Sequence, residues 1–235
     1  MTWKNIYDIL SIQGKNVKSF LYGVYFRIEP YFFYFKTKKV QNNFSLYIKL
    51  ENFDIINLVV EVLEKFVPDI YQKSIYDINY DTLKKRGIKC LIFDLDNTLV
   101  PVTVKKPTKK VSDLFEDLKR KGFKLIIVSN SPKKRVAPFK DYLCTDSAYF
   151  SFKPLKRKYN KILKSYNYKK EEIACIGDQL LTDIWGANRM DFLSILVNPI
   201  GKTDFTLTKL NRFIETSIYD KLKKQDLLKK GRYYE

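Results

Sequence analysis

Histidine is absent from the 235 residues. Its absence excludes imidazole acid–base catalysis, phosphohistidine chemistry and every zinc site that uses a His ligand. Cysteine is scarce: Cys90, Cys144 and Cys175 lie too far apart to form a metal or redox motif, and they are expected as buried, reduced thiols of a cytosolic protein. No apolar run is long enough for a transmembrane helix. The most apolar candidate, Phe20 to Phe35, is broken by Arg27, Glu29 and Pro30 and is too short to span a bilayer. Met1 to Leu10 lacks an uninterrupted apolar segment and no small-residue cleavage site follows, so no signal peptide is expected. There is no internal repeat. The expected location is cytoplasmic, with peripheral contact at the inner face of the membrane left open.

What the chain does have is apolar, aromatic and basic residues. An apolar fraction of 45%, with 15% aromatic, supplies a real core and argues against wholesale disorder. The formal charge of +18 is unevenly placed: residues 84–170 carry 24 Lys/Arg against seven Asp/Glu. Lysine outnumbers arginine 36 to eight, so part of this excess reflects composition. Even a passive positive field attracts anionic substrates, nucleic acid or acidic lipid surfaces.

Residues 1–60 are expected to form an aromatic-rich N-terminal extension, and 61–235 the main domain. Nine of the 16 positions from Phe20 to Phe35 are aromatic, which favours short β pieces around Pro30. The extension reads either as a packing arm or as an interfacial anchor with Lys36, Lys38 and Lys39 beside acidic lipid. The apolar spacing from Ile55 to Phe66 predicts a helix ending before Pro68. A short extended piece is expected at Lys73–Ile78, then a helix capped by Asp81 and stopped at Gly87.

From Ile88 the pattern is regular. Apolar runs at Cys90–Phe93, Leu125–Val128, Ala148–Phe150, Ile173–Ile176 and Leu193–Val197 read as buried strands. Amphipathic segments lie between them at Val111–Lys121, Arg135–Leu143, Lys156–Tyr166 and Leu181–Met190. This alternation predicts an α/β fold, a Rossmann-like parallel sheet with helices on both faces. Thr206–Lys230 reads as a broken closing helix with a solvated basic tail.

Open parallel sheets place ligands at the carboxyl ends of their strands. Asp94, Asp96, Asn97 and Thr98 follow the first predicted strand, and Ser129 and Asn130 the second. Lys153-Pro154 follows the third, and Gly177 to Asp183 the fourth. Singly, each is an ordinary loop or cap; together, in order and at one edge, they make a set for phosphoryl transfer through an aspartyl-phosphate. In that scheme Asp94 is the nucleophile and Asp96 the general acid and then base. Mg²⁺ is held by the Asp94 and Asp178 carboxylates and the main-chain carbonyl of Asp96, with Asp183 either on the ion or next to its ligands. Thr98, Ser129, Asn130 and Lys153 bind the phosphoryl group.

This order, Asp94-x-Asp96-Asn97-Thr98, Ser129-Asn130, Lys153-Pro154 and Gly177-Asp178-x-x-x-Thr182-Asp183, resembles the four motifs of the haloacid dehalogenase-like superfamily. Lys73 to Ile78, Asp94 to Pro101, and Gly177 to Asp183 with Gly186-Ala187-Asn188-Arg189 further resemble the subfamily IIIA phosphatases. These are bacterial relatives of phosphatidylglycerophosphate phosphatase. The likeness covers roughly 62–214 and leaves the extension outside. It implies a Rossmann-like fold, Mg²⁺ and the roles just assigned. An acid at Asp96 implies a phosphatase rather than a dehalogenase or ATPase, because a phosphate ester leaves as an alkoxide that needs a proton.

Between Thr98 and Leu125 there is length for a flap and one helix, and between Ser129 and Lys153 for one helix and one strand. No large cap is expected, so the phosphate should be carried on something large. The expected substrate is phosphatidylglycerophosphate at a membrane surface. The alternatives are nucleotides, nucleic-acid ends or sugar phosphates, and, from another class, a basic RNA- or ribosome-associated binding protein.

Overall fold

The computed structural model describes residues 62–201 and 206–235 and strand segments between 27 and 48. The chain divides into two units, Met1–Leu58 and Val59–Glu235. In the first, β1 (Arg27–Ile28) pairs antiparallel with β2 (Tyr31–Phe32), and β3 (Phe35–Val40) with β4 (Asn43–Ile48). The β pieces expected around Pro30 are thus present. The extension's role as packing arm or anchor, and most of the helix predicted at 55–66, lie outside the described residues.

The second unit is built on six strands: β5 (Ile70–Gln72), β6 (Cys90–Phe93), β7 (Lys124–Val128), β8 (Asp146–Ala148), β9 (Ile173–Gly177) and β10 (Leu193–Val197). All five pairings are parallel, in the order β5-β10-β9-β6-β7-β8. Successive side chains of a strand face opposite ways, and here both faces are covered. Leu91, Phe93, Leu125, Ile127 and Ile176 pack with Leu83 of α1 (Tyr80–Lys85), Phe115 of α2 (Lys109–Arg120) and Phe139 of α3 (Lys133–Tyr142). The alternate residues Cys90, Ile92, Ile126 and Cys175 meet Tyr159 of α4 (Arg157–Tyr166) and Ala187 of α5 (Trp185–Asn188). Leu196 packs near Leu222 of α6 (Thr206–Lys224). Burial on two faces is why these strands read as unbroken apolar runs.

The chain leaves β6 for β7 and β8 on one side, then returns to β9 on the other. That reversal opens a crevice at the carboxyl end of β6, where such sheets bind ligands. Asp94 stands there. Only a flap and α2 separate Thr98 from β7, and only α3 and β8 lie between Ser129 and Lys153.

Several local expectations are corrected. The third strand ends at Ala148 rather than Phe150, because the Phe150 N–H turns to the Ser131 carbonyl at 3.0 Å and Phe150 and Phe152 take φ values of 45° and 53°. The extended piece is Ile70–Gln72, which pairs with β10. Lys73–Ile78 is a turn instead, closed by Asp77 N–H on the Ser74 carbonyl at 3.1 Å. Asn79, not Asp81, caps α1, accepting the Thr82 N–H at 3.0 Å. The helix predicted at 181–190 splits into a π-turn, Leu180–Ile184, and α5. Nor is the tail after α6 wholly solvated: Tyr234 exchanges backbone hydrogen bonds with Tyr71 at 2.9 and 3.0 Å. It thereby covers the otherwise open edge of β5. Cys90 and Cys175 are buried, whereas Cys144, in the turn after α3, is exposed.

Candidate active site

The ladder of β6 continues one residue past the strand, where the Asp94 N–H donates to the Ile176 carbonyl at 2.9 Å. Leu95 is fully buried, so the alternation of an extended chain directs its neighbours Asp94 and Asp96 away from the core. A tight turn follows. Asn97 sits at φ 66° and its N–H reaches the Val100 carbonyl at 2.8 Å, a left-handed conformation that asparagine tolerates better than most residues. This turn buries Thr98, whose hydroxyl donates to Asp178 Oδ1 at 2.8 Å.

Asp178 follows β9, and Asp183 lies on the π-turn. The wider turn brings Asp183 Oδ2 back onto the Gln179 N–H at 3.1 Å; such turns recur at functional sites. Gly177 is required by this fold-back. A Cβ there would fall 2.3 Å from Asp183 Cγ. Carboxylate oxygens of Asp94, Asp178 and Asp183 lie within 4.8 Å of one another, and all three residues are buried.

Lys153 closes the cluster. Its side chain is 4% exposed, with Nζ 2.5 Å from Asp94 Oδ1 and 2.6 Å from Asp183 Oδ1. The motif reading puts Asn130 on the phosphate, but its side chain is engaged with the backbone of Lys153: Oδ1 accepts the Lys153 N–H at 2.7 Å and Nδ2 donates to the Lys153 carbonyl at 3.3 Å. Asn130 therefore positions the lysine. Ser129 is buried, and its Oγ accepts the Ser131 N–H at 3.1 Å.

The electrostatics follow from burying so many carboxylates together. Burial, opposed by Lys153 and reinforced by the charges of Asp183, Asp178 and Asp96, raises Asp94 well above the usual carboxylate range. Burial works against charge on Lys153 too, but Asp183 and Asp94 outweigh it and hold the ammonium well above its ordinary range. Asp178 is pushed up to about 6, chiefly by burial, with Arg212 pulling the other way.

Four residues of this site lie outside the motif reading. Ser131 Oγ donates to Asp96 Oδ2 at 2.6 Å, and Arg135 Nε to Asp96 Oδ1 at 2.9 Å. Arg135 also reaches the Val104 and Pro101 carbonyls, tying the flap after β6 to α3. On α6, Arg212 Nη2 pairs with Asp178 Oδ2, and Nη1 donates to the Asp178 carbonyl at 2.9 Å. Buried Glu215 accepts from Arg212 at 3.2 Å and from the Leu181 N–H at 2.8 Å. The available signal was arginine in a lysine-dominated chain, because a rigid planar fork holds a carboxylate more specifically than an ammonium does.

The arrangement offers a buried carboxylate, Asp94, beside a buried cation, with a second carboxylate, Asp96, held separately by Ser131 and Arg135. The donor chemistry suits a hard divalent cation, since the three clustered ligating groups are all carboxylates and Mg²⁺ favours oxygen ligands.

Residues 102–191 match the sequence model of the haloacid dehalogenase-like hydrolases, and residues 51–140 match that of mitochondrial PGP phosphatase. The chain is 39% identical over 160 residues to the probable phosphatase YqeG of Bacillus subtilis (strain 168), a match spanning 68% of this chain and 93% of that protein. Among solved structures, a HAD superfamily (subfamily III A) hydrolase from Legionella pneumophila is 17% identical, with 72% of this chain and 95% of that one covered and a TM-score of 0.37. The 3-deoxy-D-manno-octulosonate 8-phosphate phosphatase of Moraxella catarrhalis, solved with magnesium ion, phosphate ion and KDO, is 14% identical. It covers 60% of this chain and 93% of its own, with a TM-score of 0.39.

Proposed function

The chain belongs to the haloacid dehalogenase-like superfamily of phosphatases, and from that premise we propose that it hydrolyses phosphatidylglycerophosphate at a membrane surface through an Asp94 phosphoenzyme. The observation that carries the chemistry is Lys153 bridging Asp94 and Asp183 at 2.5 and 2.6 Å inside a buried carboxylate cluster. The lipid is supported by the match to the PGP phosphatase family and by the short connections over the catalytic edge, which leave room for a phosphate on a large carrier.

In the first step an Asp94 oxygen attacks phosphorus, the ester P–O bond breaks, and Asp96 passes its proton to the departing alkoxide. Ser131 and Arg135 hold Asp96 toward that oxygen. In the second step water attacks the phosphorus of the acyl phosphate while Asp96 takes the water proton. Inorganic phosphate leaves and the Asp94 carboxylate is restored. Lys153, with the Ser129 hydroxyl, offsets negative charge on the transferring group, whereas the Thr98 hydroxyl, expected on the phosphate, gives its proton to Asp178 Oδ1 and holds that carboxylate instead. Mg²⁺, held by Asp94, Asp178, Asp183 and the Asp96 carbonyl, would supply further neutralisation of the phosphate charge.

Among the described residues no helix is long and apolar enough to cross a membrane, and the proposed enzyme is a peripheral one at the inner face. The test is phosphate release from phosphatidylglycerophosphate in mixed micelles, nucleotides, sugar phosphates and an aryl phosphate, with and without Mg²⁺. The expected result is Mg²⁺-dependent turnover with the highest kcat/KM on the lipid. A higher kcat/KM on a nucleotide or sugar phosphate would overturn the lipid assignment.

A further inference from the structure

The loop that delivers Lys153 to the site turns its neighbours outward. Lys153 is 8% exposed, while Tyr149, Phe150, Phe152 and Leu155 are 38%, 47%, 66% and 54% exposed. The Phe150 ring packs edge-on against Tyr149 at 6.2 Å and stacks with Phe152 at 6.4 Å, so the apolar side chains form one cluster. This exposure belongs to a pinned loop. Besides the Phe150 bond to Ser131, the Ser151 N–H reaches the Ser129 carbonyl at 3.1 Å, the Leu155 N–H the Phe152 carbonyl at 2.9 Å, and Arg189 the Pro154 carbonyl at 3.1 Å. Both phenylalanines hold left-handed backbone, which bulky residues avoid unless the surroundings impose it. Clustered apolar exposure of this kind marks an interaction surface.

The surroundings say what kind of partner fits. Residues 101–110, 132–134 and 156–158, which form or continue from the loops at the same carboxyl edge, contain nine Lys/Arg, eight of them exposed, and no Asp or Glu. Lys156 and Arg157 are exposed directly after the aromatic cluster, and Lys158 lies over the Tyr149 ring at 5.6 Å. An apolar wedge within a wide basic rim matches an anionic bilayer, where aromatic side chains enter the headgroup region and lysines meet lipid phosphate. A protein partner would need carboxylates to answer the rim, and a nucleic acid would stack bases on the phenyl rings but leave Leu155, 54% exposed, without an apolar host.

We infer that the 149–155 loop docks the catalytic edge onto an anionic lipid bilayer and so presents a membrane-held phosphomonoester to Asp94, an assignment that rests on the lipid reading of the substrate. The clamp lysine and the wedge share one loop, so insertion places the headgroup plane beside the nucleophile.

The experiment uses the full chain and vesicles of phosphatidylcholine alone or with phosphatidylglycerol. The wild type should bind the anionic vesicles and release from them as salt is raised. Phe150→Asn/Phe152→Asn/Leu155→Ser keeps residues that tolerate the backbone and should weaken binding at least about tenfold, with aryl phosphate hydrolysis unchanged. Lys156→Gln/Arg157→Gln should lose affinity for the anionic vesicles while retaining the wedge. If the triple variant fails to fold, Phe152→Trp decides: the emission it adds over that of Trp3 and Trp185 in the wild type should be quenched by brominated lipid, and absence of that added quenching would overturn the proposal. Unchanged vesicle binding by a folded triple variant would overturn it too, as would loss of RNA binding or of dimerisation in place of vesicle binding. If docking depends on the loop but phosphatidylglycerophosphate in the vesicles is not hydrolysed, the substrate reading fails and the docking surface stands. If the lipid is hydrolysed and the loop is indifferent to vesicles, the reverse holds.

Discussion

Glu215 provides the sharpest quantitative test of how the catalytic edge is held together. It is 2% exposed, and burial, opposed by the Leu181 N–H and by Arg212, lifts its carboxyl from 4.5 to about 7. In the unfolded chain the same group titrates at its ordinary value. Between these two pH values the folded state therefore binds more protons than the unfolded state, and stability falls as pH rises. Glu215's contribution is fully present below about pH 4.5 and is lost as pH rises through about 7. At about 1.4 kcal/mol for each pH unit of that interval, the full change is roughly 3 kcal/mol. Asp178, raised from 3.8 to about 6, adds a slope of the same sign, so the measurement must be a difference. Urea unfolding of the wild type and Glu215→Gln, in EDTA from pH 4.5 to 8, should show the variant gaining about 3 kcal/mol relative to wild type across that range. Parallel curves would refute the reasoning, for they would mean that Glu215 is already ionised in the folded state at low pH.

Asp94→Asn should abolish phosphate release and the trapped phosphoenzyme while the urea midpoint changes little, because Asn is isosteric and Asp183 remains to pair with Lys153; residual turnover above about one per cent of wild type would assign the nucleophile elsewhere. Gly177→Ala places a methyl 2.3 Å from Asp183 Cγ, so it should cost about 1–3 kcal/mol in stability and weaken Mg²⁺ binding measured by calorimetry. Arg135→Gln removes one of the two partners that orient Asp96. It should lower kcat about tenfold or more on alkyl phosphates and much less on aryl phosphates, whose leaving groups need little protonation. Lys153→Met strands two buried carboxylates beside each other, and denaturant unfolding should register a loss of about 3–5 kcal/mol.

The sheet and most of the acidic cluster were legible because they rest on local patterns. A parallel strand buried on both faces must be apolar throughout, so Cys90–Phe93 announces itself, and the residue that follows it must emerge at the carboxyl edge. Repeating this at β7 and β9 is enough to bring Asp94, Ser129, Asp178 and Asp183 to one place. The limits appear where position depends on a partner distant in sequence. Phe150 reads as the end of a strand because it is apolar, yet the Ser131 carbonyl draws its N–H out of the ladder. Asn130 reads as a phosphate ligand by motif, yet its amide meets the Lys153 backbone 23 residues away. The tail reads as solvated because it is basic, yet Tyr234 reaches the open edge of β5.

Sequence alone thus determined the parallel α/β architecture and the carboxylates of motifs one and four, since strand periodicity and the residues at strand ends carry that information locally; the order of the motifs carried the resemblance to the family. Tertiary structure alone decided that Ser131 and Arg135 hold Asp96, that Arg212 and Glu215 brace Asp178 and the π-turn, and that the loop around Lys153 faces its aromatic residues outward. Those relations join side chains on separate elements, and a hydrogen bond between two elements leaves no periodicity in either one.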